Sequence, residues 1–132
     1  MNCVNDTSGN NINQKINPEK VSKDFVKWFY HNLNVNVDNL FPKVWKDYSE
    51  MDLNSQKIKG LGFIYTKMKQ IFDKTNSQPN SFQYILNGSR CIIILVTGKI
   101  TKNNVTRDFS KVFQIVHDKK TSWFIKNLLI KI

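Results

Sequence analysis

RCIIILVTGKITKNNVTRDFSKVFQIVHDKKTSWFIKNLLIKI, residues 90–132, reads as three long β-strands in succession. The first, from Arg90, carries a continuous apolar run from Cys91 to Val96, the pattern of a strand covered on both faces. The second alternates. Phe109, Phe113 and Ile115 share one side with Arg107 and Lys111, while Asp108, Ser110, Val112 and Gln114 take the other. The third, SWFIKNLLIKI, follows Asp118-Lys119-Lys120, and the first two are joined by Lys102-Asn103-Asn104; both connections are short and polar, as hairpins require. A three-strand antiparallel meander needs a cover, and the preceding sequence supplies helices.

Asn17 caps the first helix, with Pro18 at its first position. Val21, Phe25, Trp28, Phe29 and Leu33 follow helical spacing and predict one broad buried face. A shorter helix is expected over Asp38–Lys46, with Leu40, Phe41, Val44 and Trp45 as its stripe and Pro42 in its first turn. Tyr48–Leu53 and Gln56–Lys59 predict two short strands around Asn54-Ser55. Gly60 and Gly62 open a third helix, striped by Ile64, Met68, Ile71 and Phe72. Lys74–Pro79 reads as a polar loop and Ser81–Leu86 as an alternating strand. Asn87-Gly88 is a strong hairpin signal leading into the strand from Arg90. The order predicts an α+β domain, helices packed on one face of a curved, mainly antiparallel sheet.

Residues 1–16, rich in Asn and poor in aromatics, are expected to form a disordered tail, leaving 17–132 as one domain. No apolar stretch approaches a membrane span, and no secretory signal is expected. Two cysteines, Cys3 in the expected tail and Cys91 in a strand, make neither a disulfide framework nor a metal site, so Cys91 reads as a small core residue. A reducing intracellular compartment fits this usage. The net charge is +10, yet lysine outnumbers arginine 18 to 2 and is spread along the chain. Nucleic-acid readers lean on clustered arginine, so this basicity reads as a solvated surface and not a specific nucleic-acid site.

The order and several segments resemble the nuclear transport factor 2-like superfamily, a cone in which three helices fill the concave side of a bent sheet. DFVKWFYHNL is similar to the family's first helix, and MDLNSQKIKG to its short hairpin. VTGKI, a short loop and then Phe109 to Phe113 resemble its central hairpin. Trp123 opens the last strand, and Lys131 stands where the family usually has arginine. KNNVTRDFSKVFQI resembles the branch that serves as small partner of the mRNA export receptor. The Ran-carrying branch has a Trp-Glu pair where this chain has Leu53-Asn54, and an acidic loop where it has Lys102-Asn103-Asn104.

The resemblance implies a non-enzymatic nucleocytoplasmic transport subunit without a cofactor, working in nucleus and cytoplasm and at the nuclear pore. Its implied partner is an export receptor with a similar domain, or a second copy, with Phe-Gly nucleoporins reached through the complex. A homodimeric Ran-GDP carrier and a small-molecule-binding or catalytic cone are the alternatives. The family pairs through its sheet face, so Phe109, Phe113 and Ile115 are candidates for an apolar seam, rimmed by Arg107, Lys111 and Lys131. Alternation leaves open whether that side instead packs under the chain's own helices. Trp28, Phe29, Tyr30 and Trp45 could line the cone's mouth, although aromatics at helical spacing normally form core. Catalysis would need a tuned acid and base. The histidines, His31 and His117, and the carboxylates Asp47, Asp52 and Asp108 show no telling spacing, and no enzyme is expected.

Overall fold

A computed structural model describes residues 16–41, 43–118 and 122–132. Among them are two α-helices, α1 (Pro18–Val35) and α2 (Leu61–Phe72), and a six-stranded sheet. Its strands are β1 (Trp45–Leu53), β2 (Gln56–Lys59), β3 (Asn76–Leu86), β4 (Cys91–Lys102), β5 (Val105–His117) and β6 (Trp123–Lys131). They lie in the order β2-β1-β6-β5-β4-β3. Every neighbouring pair is antiparallel except β1 and β6. The expected tail falls outside the described residues up to residue 15, and Ile16 packs against the core.

The first helix begins as the sequence predicts. The Asn17 side chain accepts from the Lys20 N–H at 3.2 Å, Pro18 follows it, and Glu19 complements the helix dipole. Phe25, Val26, Phe29, Tyr30 and Leu33 are buried against the sheet. Asn36 stops α1 in an extended conformation and caps the next segment, accepting from the Asp38 N–H at 2.9 Å.

The helix expected over Asp38–Lys46 does not form, so the described residues hold two α-helices where three were expected. In its place stands a single 3₁₀ turn, Val37–Leu40. Phe41 is extended (φ −117, ψ 144), and it precedes Pro42, whose ring disfavours α backbone at the residue before it. Trp45 instead opens β1, and the Ile125 N–H donates to the Val44 carbonyl at 2.7 Å. The apolar positions Leu40, Val44 and Trp45 are buried as the stripe implied, but from a turn and a strand.

A second correction concerns residues 74–79, which are not all loop, since β3 starts at Asn76. The Asn34 amide on α1 fixes that start, donating to the Ser77 carbonyl at 2.9 Å and accepting from its N–H at 2.7 Å. Cys91 is buried at the start of β4. Asn54 and Ser55, both with positive φ, form the β1–β2 turn as read. Gly60 (φ +100) starts α2 in a conformation that few other residues tolerate.

The sheet has one covered and one open face. Ile92, Ile94, Val96 and Ile100 of β4 join Phe109, Phe113 and Ile115 of β5, and Met51, Leu128 and Ile130, under the helices. Gly98 sits where β3 bulges between Pro79 and Ser81. A Cβ there would lie 2.2 Å from the Gln78 carbonyl oxygen and 2.8 Å from the Phe109 ring. Gly98→Ala is therefore expected to lower stability by about 2 kcal/mol or more in urea titration, since backbone and core must both move. Gly62→Ala in α2, with nothing within 4 Å of the new methyl, should cost nothing and can add up to about 1 kcal/mol.

Candidate functional site

The seam expected from Phe109, Lys111, Phe113 and Ile115 lies on the covered face, and this assignment is corrected. Phe113 meets Phe25 and Phe29 of α1 edge-on, with ring centroids at 5.4 and 4.9 Å, and Phe109 stacks on Tyr30 at 5.7 Å. All four side chains are 4% exposed or less, so they form core. Strand alternation fixes which residues share a side, not which side α1 covers. Arg107, on the same side, reaches solvent only at the sheet's end, beside Gln70, Ile71, Ile100 and Lys102. Lys131 is exposed on the opposite face, paired in register with Ser110.

Lys111 is the most unusual side chain of the interior. It is fully buried, and its Nζ lies over the rings of Phe72, Tyr30, Phe109 and Phe29, at 4.5, 4.6, 4.7 and 5.7 Å. Among the described residues, neither Lys111 Nζ nor the buried Tyr30 hydroxyl has a hydrogen-bond partner. Loss of hydration pushes the lysine down to about 7 and the tyrosine well above its ordinary value. The negative ring faces offset part of the lysine's cost. Sequence reading missed this enclosure, whose walls come from α1, α2 and β5.

The four aromatics expected at the cone's mouth do not form one site. Phe29, Tyr30 and Trp45 are core, with Trp45 stacked on Phe41 at 5.6 Å, and Trp28 lies at the surface. Phe41 also meets Tyr65 edge-on, while the Tyr65 hydroxyl donates to Asp38 at 2.7 Å. That hydrogen bond, with Lys69 at 3.3 Å, holds the Asp38 carboxyl below its usual value and ties the 3₁₀ turn to α2. The polar residues weighed for catalysis are dispersed. His31 and Asp47 are exposed, Asp52 accepts from the Ser55 N–H, and Asp108 pairs with Lys99. His117 stacks edge-on with Trp123, and burial and the Arg90 charge push it down. Among the described residues no three His, Cys, Asp or Glu side chains gather as metal ligands, and no helix is long and apolar enough to cross a membrane.

The open face carries what the covered face was expected to carry. Register aligns Leu95, Val112 and Leu129 across β4, β5 and β6. Gln83 continues that row at one end, and Asp52 and Lys57 at the other. The neighbouring row begins with Ile85 and Ile93 and then places Gln114 beside Asn127. The Asn127 side-chain amide donates to Gln114 Oε1, and Gln114 Nε2 donates to Cys91 Sγ at 3.7 Å. On the other flank Ser81 and Thr97 share a hydrogen bond of 2.7 Å, with Ser110 and Lys131 following. Ile85 is 67% exposed, Leu129 41% and Leu95 37%. The result is an apolar centre with an amide pair and a mixed polar rim, the anatomy of a protein-binding face. Its signal in the sequence was the run Cys91–Val96, apolar on both sides, of which the described helices cover only one.

A profile of the nuclear transport factor 2 domain matches residues 21–131. A search of curated proteins returned no match. Among solved structures, nuclear transport factor 2 from Cryptosporidium parvum superposes with a TM-score of 0.76 at 20% identity, covering 86% of this chain and 93% of that one. A chain of the yeast complex of deubiquitinase Ubp3 and its cofactor Bre5 gives 0.70 at 16%, covering 85% and 93%. A putative ketosteroid isomerase from Shewanella frigidimarina gives 0.71 at 9%, covering 87% and 98%. At these identities the likeness is one of fold, and the fold hosts more than one function.

For the buried amine the expectation has a direction. The unfolded chain keeps Lys111 protonated up to about 10.5 and the folded one releases the proton near 7, so the unfolded state binds more protons in between. Stability therefore rises with pH across that window, on the order of 4 kcal/mol in all, and the cost of burial is full below pH 7. Lys111→Met is expected to stabilise at pH 7 by about 1–4 kcal/mol and to lose this component of the pH slope. Urea titrations of both proteins from pH 6 to 10 test this; parallel slopes would refute it.

Proposed function

Because the chain belongs to the nuclear transport factor 2 domain family, we propose that it is a non-enzymatic nucleocytoplasmic transport subunit. On this reading it pairs through the open face of its sheet with a similar domain of a larger mRNA export receptor. One observation carries the reading. Leu95, Val112 and Leu129 form an apolar row on a face that neither described helix covers. Leaving such a row in water forgoes about 25 cal/mol for each Å² of apolar area, and a standard interface would remove roughly 800 Å² per partner.

Lys57, beside Asp52, and Lys131 flank the row in a chain of net charge +10, so an acidic partner surface is more complementary than a second copy. The interior supports a binding role over a catalytic one, since Phe29, Tyr30, Phe72, Phe109, Phe113 and Lys111 fill the space under α1. The transport cycle would take the complex between nucleus and cytoplasm, with Phe-Gly nucleoporins bound by the assembly at the pore. It requires no cofactor, membrane anchorage or sequence-specific nucleic-acid contact.

A tagged pull-down from the source cells at physiological salt tests this. A large partner containing a second such domain is expected in one-to-one amount. Leu129→Glu should reduce its recovery at least about tenfold, because a charge would be buried at the centre of the contact. Unchanged recovery with Leu129→Glu would remove the open face from the interaction. Recovery of Ran without a second domain would replace the export reading with that of a homodimeric Ran-GDP carrier.

A further inference from the structure

Among the described residues, strand β3 lies at the edge of the sheet, with β4 on one side and no strand on the other. An edge strand turns every second N–H and C=O outward, and proteins normally blunt such edges with charge, proline, bulges or cover. The first half of β3 is blunted in three ways. Asn34 occupies both backbone groups of Ser77, Pro79 has no N–H, and the register shifts between Pro79 and Ser81. None of these devices reaches Ser81–Leu86. Asn87 donates its N–H inward to the Cys91 carbonyl at 2.8 Å, so alternation turns the backbone groups of Leu86, Tyr84 and Phe82 outward.

This half is also the least charged stretch of the sheet. The whole of β3, NSQPNSFQYIL, contains no charged residue, whereas each of the other five strands has at least one lysine. Tyr84 is 37% exposed, Leu86 47% and Ile85 67%. We propose that Phe82–Leu86 of β3 pairs antiparallel with the same segment of a second copy, joining two sheets edge to edge. Self-pairing is favoured over other extended ligands by symmetry. A two-fold axis at Tyr84 sets Tyr84 against its counterpart and Phe82 against Leu86 of the second copy, all on one face, and satisfies every outward backbone group. It is also favoured by charge, since two molecules of +10 repel least where a strand bears no lysine. The pairing runs along the backbone edge of β3, while Gln83 and Ile85 of the same segment turn their side chains to the open face.

A five-residue edge contact is small, so the association is weak and tightens as salt screens the net charge. Sedimentation equilibrium of the full chain should show the mass rising from one chain toward two between about 10 µM and about 1 mM, more steeply at higher salt. Tyr84→Pro removes an outward N–H without touching the β4 ladder, and Tyr84→Lys sets like charges together. Both should remain at one chain with unchanged circular dichroism, and Leu129→Glu, altered only on the open face, should dimerise like the unaltered chain. A wild-type chain that stays monomeric at about 1 mM, or a dimer that survives both Tyr84 variants, overturns the proposal.

Discussion

The contact of Phe113 with Phe25 and Phe29 decides how every other surface of this protein is used. It holds α1 on the middle of the sheet, through ring pairs at 5.4 and 4.9 Å. Edge-on aromatic pairs add directional preference to area burial, so the helix is fixed in position as well as attracted. Once α1 takes that face, Phe109, Ile115 and Lys111 become interior, and the opposite face of the same strands is left without a described helix over it. The fold thus consumes the residues that look most like an interface and exposes those that look like core.

Lys111 shows what this arrangement tolerates. An amine enclosed by four aromatic rings is costly in its charged form, and the rings return only part of its lost hydration. It stands on β5 directly between Phe109 and Phe113, so any strand that delivers those two rings to α1 also delivers residue 111. The stem is long enough to fill the space between α1 and α2, which gives it a structural role whatever its charge. The cluster of rings around it leaves the space under α1 occupied by the chain's own side chains.

Two surfaces remain with unmet valence of different kinds. The open face has apolar area without cover, around a buried amide pair that is already satisfied. The distal half of β3 has backbone groups without a ladder. The first rewards a partner with a complementary surface, and the second rewards only an extended strand. The two meet at Gln83 and Ile85, whose backbone belongs to the edge strand and whose side chains belong to the open face.

Sequence alone determined the helices α1 and α2, the β1–β2 turn, the β3–β4 hairpin and the long strands after it, because caps, turn residues and period-two alternation are local properties of the chain. It did not determine the fate of residues 37–46, where apolar spacing fitted a helix equally well. The backbone constraint at Phe41 and the pairing of β1 with β6, nearly 80 positions later in the chain, decided for a turn and a strand. Nor could it tell the two faces of β5 apart. Alternation sorts residues into two sets with certainty but carries no sign, and only the docking of α1 assigns one set to the core. The apolar run Cys91–Val96 held the missing information, since a strand apolar on both sides needs two covers and the described helices supply one. The tertiary structure identified the uncovered side, because helix docking is a contact between distant segments that no local pattern encodes.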